Sequence, residues 1–271
     1  MKSKDSKQDS KSIRTFFIYA GIVTFIIILS LAIKTFFVIR ASKFDGEHQF
    51  TIAIVKQDNV TEFLSIDPSI PSASILQISS GNLSVSSVGN IVGIIPDAKI
   101  NSSDGLPGGT NITKTIKTMA FNYRSIKTNL TLFDIVRLYL IAKRTSGLNK
   151  KITTITISKG MTENNNHLTG FFTDQAITSE NISVEVINAS NRAGMGTRLA
   201  KILTNLGYNI IAVSTASTDQ ANSTIAYFGQ STYSLRKLQN LLPFSVKMLS
   251  KKTIADIIIT IGEDSKNSSI F

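Results

Sequence analysis

The sequence has no cysteine. That absence excludes disulfides, thiolate metal sites and a cysteine nucleophile, and it is compatible with an oxidising exterior. Histidine is scarce: His48 and His167 both fall in segments that read as loops, far apart in the chain. No paired spacing of metal ligands and no nucleophile elbow accompanies them. The sequence therefore assigns no catalytic residue, no metal ligand and no cofactor. Acidic residues are outnumbered, 18 against 29 Lys and Arg, for a net charge of +11. The excess forms no basic stripe interleaved with aromatics, which argues against nucleic acid. A basic exterior suits anionic wall polymer or lipid headgroups. Hydrophobic residues make up 42% of the chain, too many for a wholly disordered protein.

Charge is also missing from residues 16–33, where Tyr19, Thr24 and Ser30 are the only polar interruptions. A helix rises about 1.5 Å per residue. This run, carried past Lys34 by residues 35–39, can cross a hydrocarbon core about 30 Å thick. In lipid such a segment satisfies its backbone only as a helix. Residues 15–39 are thus read as a membrane span behind a basic tail, residues 1–14. Lys2, Lys4, Lys7, Lys11 and Arg14 precede it; Lys34, Arg40 and Lys43 follow. The excess before the span favours a cytoplasmic N-terminus and an extracytoplasmic body at the cell membrane. A cleaved signal peptide is the alternative, with Ser30 and Ala32 at the right spacing. Phe36, Phe37, Val38 and Ile39, however, continue the apolar run beyond that point.

Residues 50–157 read as an α/β domain. Residues 50–55 alternate as a strand. Residues 62–66 and 74–78 are further candidates, divided by Asp67-Pro68 and Pro71, and the stretch 88–95 is apolar and ends at Pro96. A Gly- and Pro-rich loop at 104–109 precedes a helix carrying Ile112, Ile116, Met119 and Tyr123 on one face. Gly108-Gly109-Thr110 invites a phosphate-loop reading, but the Lys that such a loop needs is absent. A second helix spans 132–144, with Thr131 and Asp134 as a capping box. Its apolar residues (Leu132, Ile135, Val136, Tyr139, Leu140) cover more than one face and predict thorough burial. Residues 152–157 read as a strand, and residues 158–181 as a polar linker.

Residues 182–265 give the clearest pattern. A strand at 182–188 leads to a helix at 193–206 with Met195, Leu199, Ile202, Leu203 and Leu206 inward and Gly207 as its C-cap. Strands follow at 209–214 and 224–228. A helix at 232–242 stops at Pro243, and two more strands (244–249 and 256–261) flank a turn through Lys251-Lys252. The predicted fold class is α/β: a transmembrane helix, then two small α/β domains, the last in the order β-α-β-β-α-β-β, with both helices on one face.

Val186-Ile187-Asn188-Ala189-Ser190, Gly194, Gly207-Tyr208, Thr224-Ile225-Ala226-Tyr227 and Gly262-Glu263-Asp264 recur in the order of the LytR C-terminal domain family. Residues 183–265 resemble that family, which is found in cell-envelope proteins. Ala189 stands where the family has glycine. In the middle region, Ile66-Asp67-Pro68 with residues 74–78, and Leu106-Pro107-Gly108-Gly109-Thr110 before a helix, resemble a shortened, degenerate LytR-CpsA-Psr domain. That family transfers lipid-linked glycopolymer to cell wall. Its pyrophosphate-binding arginine and aspartate would follow the second strand; Ser79, Ser80 and Gly81 stand there instead. The resemblance implies a relative without the chemistry.

The expected function is a membrane-anchored binding or scaffold module at the cell wall, without catalysis, its partners being the membrane and wall polymer or other envelope proteins. The alternative is a glycopolymer transferase working through the middle domain. One candidate ligand site lies at the turn after residue 188. Asn188, Ser190, Arg192, Gly194 and Arg198 there surround a helix start that can hold a carboxylate or phosphate. The competing reading is that Asn188 and Ser190 simply satisfy the turn. Asp256, Glu263 and Asp264 read as strand-end polar residues rather than a metal or acid–base cluster.

Overall fold

The computed structural model describes residues 5–56, 59–70, 72–79, 84–102, 111–145, 150–156 and 171–267. Pro71, Ser80 and Gly81, the loop at 104–109 with Thr110, His167 and most of the expected linker lie outside the described residues.

Helix α1 spans Asp5–Arg40. Its segment Thr15–Arg40 has a mean hydropathy of 2.6, and none of its most apolar stretch is buried. Phe16, Phe25 and Phe37 are each more than 60% exposed. A helix of this length and hydropathy, with its apolar stretch unburied, is long and apolar enough to cross a bilayer.

The first sheet has six strands in the order β5-β4-β1-β2-β3-β6. Strands β1 (Phe50–Lys56), β2 (Asn59–Asp67) and β3 (Ser72–Ser79) form an antiparallel meander. Strand β4 (Ala98–Ser102) lies parallel to β1, and β6 (Lys150–Thr156) parallel to β3. The short β5 (Lys127–Thr128) closes the far edge. Phe50, Ile52 and Ile54 of β1 point to a core built with α3 (Ile112–Phe121) and α4 (Leu132–Thr145). Ala53 and Val55 point the other way, to α2 (Val85–Val92), Phe171 and Phe172. β1 is thus buried on both faces, and the domain has three layers.

One stretch left open by the sequence gains an element here, and one expectation changes. The apolar stretch 88–95, which the sequence left without an element, begins inside helix α2, Val85–Val92. Ser84 caps it by accepting from Ser87 N at 3.2 Å, and Gly93 ends it at φ +74°. A short apolar run fits either element, and the caps at its ends decide. Helix α4 has the expected capping box: Thr131 Oγ1 accepts from Asp134 N at 3.1 Å, and Asp134 Oδ2 accepts from Thr131 N at 2.7 Å. It is less buried than its composition suggests. Ile135, Leu138 and Ala142 face the core, while Leu132, Val136 and Leu140, spaced four apart, stand 45–53% exposed.

The second sheet has the order β10-β9-β11-β7-β8. Strand β7 (Ser183–Asn188), helix α6 (Met195–Leu206) and β8 (Asn209–Thr215) form one parallel crossover. Strand β9 (Thr224–Tyr227), helix α7 (Tyr233–Leu241) and β10 (Ser245–Met248) form another. Both helices share one core with Val184, Val186, Ile225, Ile257, Ile259 and Ile261, so they cover a single face. Strand β11 (Ile257–Ile261) inserts between β7, parallel, and β9, antiparallel. β10 and β11 are therefore not a hairpin about Lys251-Lys252. Within the expected linker, Gln175–Glu180 form helix α5, capped by Asp174.

Candidate functional site

The chain leaves α1 and is fastened at once to α4. Asp134 is fully buried, and its Oδ1 accepts from Ser42 Oγ and from the amides of Lys43 and Phe44. Arg137, one turn on, donates to the carbonyls of Phe44 and Asp45 at 2.8 and 2.7 Å. Gly46 is needed in this collar. It sits at φ +85°, and a Cβ there would come within 2.8 Å of Arg137 Cδ. Capping α4 and docking the stem are thus done by one carboxylate.

Beyond the collar a cleft of about 280 Å³ opens between the two domains. One wall is Ser42, Lys43, Asp45, His48, Gln49 and Asp97; the other is Tyr233, Arg236, Lys237 and Asn240 of α7. The α7 residues recur at i, i+3, i+4 and i+7, which puts them on one helix face. At the floor, Lys237 Nζ lies 2.7 Å from Asp97 Oδ1, with both side chains about one-tenth exposed. The same ammonium donates to Gln49 O at 3.1 Å, and Thr51 N donates to Asp97 Oδ2 at 2.8 Å. His48 stacks on Tyr233 with ring centroids 3.8 Å apart, and its Nδ1 hydrogen-bonds Asp45 Oδ2 at 2.6 Å.

Burial and local hydrogen bonds compete in setting titration in this region. Burial raises Asp174, against a 2.6 Å hydrogen bond from Tyr233 OH and the nearby Lys237 charge. Burial and the Asp174 charge drive the Tyr233 phenol well up. Burial also pushes the Asp45 carboxyl up, but the amides of Glu47 and His48 and the His48 ring together hold it below its usual value. Glu180 caps α7 by accepting from Tyr233 N and Ser234 N at 2.9 and 2.8 Å. Two of the cleft's cations, Lys43 and Arg236, are exposed. Lys43 has no ion pair among the described residues, and Arg236 makes only a long 3.4 Å bond to Ser231 O. Donors that are free and cationic suit a phosphate or carboxylate.

At the β7–α6 turn, Asn188 and Ser190 are buried and satisfied locally. Asn188 Oδ1 accepts from Ser190 N and Oγ, and its Nδ2 donates to Arg192 O at 2.8 Å. Helix α6 starts at Met195 rather than 193. Its N-cap is Gly194 at φ +82°, with no side chain capping the first turn. Arg192 and Gly194 are exposed, and Arg198 is half-buried. Ala189 has no positive φ, so the turn does not need glycine there. Asp256, Glu263 and Asp264 each serve a separate turn: Asp256 accepts from Ser183, Glu263 from Asn191 N and Asp264 from Ser223. No group of three or more His, Cys, Asp or Glu suited to a metal occurs among the described residues.

The second sheet with its two helices defines a class. Residues 181–264 match the family model described as LytR cell envelope-related transcriptional attenuator. The match opens just before β7 and closes just after β11, so it covers the last domain and leaves the first sheet outside. No curated protein and no solved structure matches the chain. The matched domain and the apolar α1 together fit a membrane-anchored cell-envelope module. Sequence reading missed the cleft. Its signal is the polar stripe Tyr233, Arg236, Lys237, Asn240, which runs beside the Leu235, Leu238, Leu241 stripe of the same helix.

Proposed function

We propose that this protein is a single-span envelope protein whose body lies outside the cell membrane and binds or scaffolds at the wall without catalysis. The observation that carries the reading is the uncovered apolar helix, joined without slack to a body whose last domain matches an envelope family. The greater basic charge before the span supports the outward orientation. The net charge of +11 supports attraction to anionic wall polymer. The candidate ligand surfaces are the cleft beside Lys43 and Arg236 and the exposed Arg192 and Gly194 at the β7–α6 turn. The middle domain, degenerate in its resemblance, serves in this reading as the rigid mount for the last one.

Protease added to intact cells is expected to digest the body and leave α1 protected. Purified full-length protein is expected to be retained on immobilised wall polymer at low salt and released at high salt. A body that is cut only after lysis refutes the orientation. Absence of retention at low salt refutes the wall partner. Turnover of a lipid-linked oligosaccharide would refute the non-catalytic part.

A further inference from the structure

The cleft is held close to the bilayer by covalent geometry. Lys43 is three residues past Arg40, the last residue of α1. An extended chain covers at most about 3.6 Å per residue, so Lys43 lies within about 11 Å of the helix end. The headgroup layer on each side of a bilayer is itself roughly 5–8 Å deep. The collar cannot swing away, because Asp134 holds the amides of Lys43 and Phe44 at 3.0 Å and Arg137 holds the two carbonyls that follow. A span that ends at Arg40 therefore brings the mouth of the cleft to headgroup level.

Charge inside the cleft is unevenly committed. Asp97 is neutralised by Lys237, and Asp45 is hydrogen-bonded to His48. Lys43 and Arg236 have no such partners and line the same opening, with the Asn240 amide one turn along α7 from Arg236. A cavity of about 280 Å³ is at or below the small end of ligand pockets, which run about 300–1,000 Å³. It has room for a headgroup and none for a glycan chain. Arginine's planar fork and lysine's point charge are the usual pair for phosphate oxygens.

We infer that this cleft is a binding site for an anionic phosphate group, supplied at the bilayer surface by the headgroup of an anionic phospholipid and held by Lys43 and Arg236. It rests on the membrane-anchored reading for the lipid source only, not on the wall partner or the outward orientation.

The full chain in neutral maltoside micelles is titrated with short-chain phosphatidylglycerol, with phosphatidylcholine of the same chain length, and with inorganic phosphate, reading binding by thermal shift. Saturable binding of phosphatidylglycerol at least tenfold tighter than phosphatidylcholine is expected. The variant K43Q/R236Q is expected to weaken it tenfold or more, and the control K247Q/K251Q to leave it unchanged. Both altered pairs are exposed, so folding is retained and is verified by the melting temperature without ligand. Inorganic phosphate binding as tightly as the lipid, and lost in K43Q/R236Q, keeps the anion site and moves its source to free phosphate. Equal binding of the two lipids without phosphate binding, or wild-type affinity in K43Q/R236Q, overturns the inference. Because micelles carry no wall and no sidedness, this failure is separable from failure of the protease and wall-polymer experiments.

Discussion

Replacing Lys237 by methionine is expected to destabilise the body by about 3–5 kcal/mol, the cost of stranding a buried charge. The Lys237–Asp97 pair spans 2.7 Å, where an effective dielectric of about 20 gives a gross attraction near 6 kcal/mol. Desolvating both ions consumes most of that, so the pair is worth little against two well-packed neutral groups. Breaking it is another matter. Methionine matches the lysine stem but leaves the Asp97 carboxylate, about one-tenth exposed, with Thr51 N as its remaining hydrogen bond here. The double variant K237M/D97N removes the stranded charge and keeps an acceptor for Thr51 N. It is therefore expected to recover to within about 1–2 kcal/mol of the parent. A contrast is built into the molecule: Lys252–Asp256 has the same 2.7 Å separation but is 56% and 31% exposed. K252M should cost no more than about 1 kcal/mol. Urea unfolding of the micelle-bound chain measures all four proteins. A K237M cost under about 1 kcal/mol, or a double variant worse than the single, would refute the reasoning.

Asp134→Ala should cost about 3 kcal/mol or more, since the carboxylate takes five hydrogen bonds, from Ser42, Lys43, Phe44 and Thr131; limited proteolysis should then cut at residues 42–46. Gly207→Ala should cost about 1–2 kcal/mol for its φ of +101° alone, and more because the new Cβ meets Thr178 Oγ1 and Asp174 O; thermal melting reads it. Lys252 and Ser183 hold Asp256 at about 2, below its ordinary 3.8. A depressed acid stabilises above its unfolded value, so this contribution is present above about pH 4 and fades as pH falls toward 2. D256N should flatten that part of the acid profile. Asp174, raised by burial, has the opposite sign: the native state takes up its proton first, so its contribution to stability grows as pH falls toward the unfolded value.

The elements that sequence made legible are those whose pattern carries its own boundaries. Residues 16–33 read as a span because they carry no charge, and residues 35–39 extend the apolar run past Lys34. The last domain read in order because each helix has one leucine-rich stripe and a stop, Gly207 or Pro243. Thr131 and Asp134 fixed the start of α4. The failures share one physical cause: they depend on what lies opposite. The apolar stretch 88–95 suits a buried strand or a helix until the caps of α2 are recognised. Whether Leu132, Val136 and Leu140 are covered depends on packing that α4's own sequence does not encode. The pairing of β10 and β11 was not legible either: they are neighbours in the chain, yet β11, the more apolar strand, takes the centre of the sheet and pairs with β7 and β9. The cleft was the hardest to read, because it is assembled from residues 42–49, Asp97 and α7, each polar side chain ordinary in its own segment.

Polar interfaces between domains usually permit relative motion. Here the contacts argue for a fixed joint. Lys237 reaches Asp97 and Gln49 across the boundary, and His48 stacks on Tyr233. At a separate point Asn205 of α6 donates to Gly93 O at 3.1 Å, while Ile95 packs onto the second core. Opening the joint would strand a buried ion pair, uncap Gly93 and expose Ile95 together. A hinge needs a low-energy open state, and each of these losses works against one. With the collar fastened to α4, the path from α1 through the first sheet to the last domain has no free joint among the described residues. A ligand held by the last domain would then sit at a set height above the bilayer, as on a post rather than a tether. In the proposed wall-binding role, a fixed height limits which layer can be reached and spares the orientational entropy that a flexible linker would lose on each encounter.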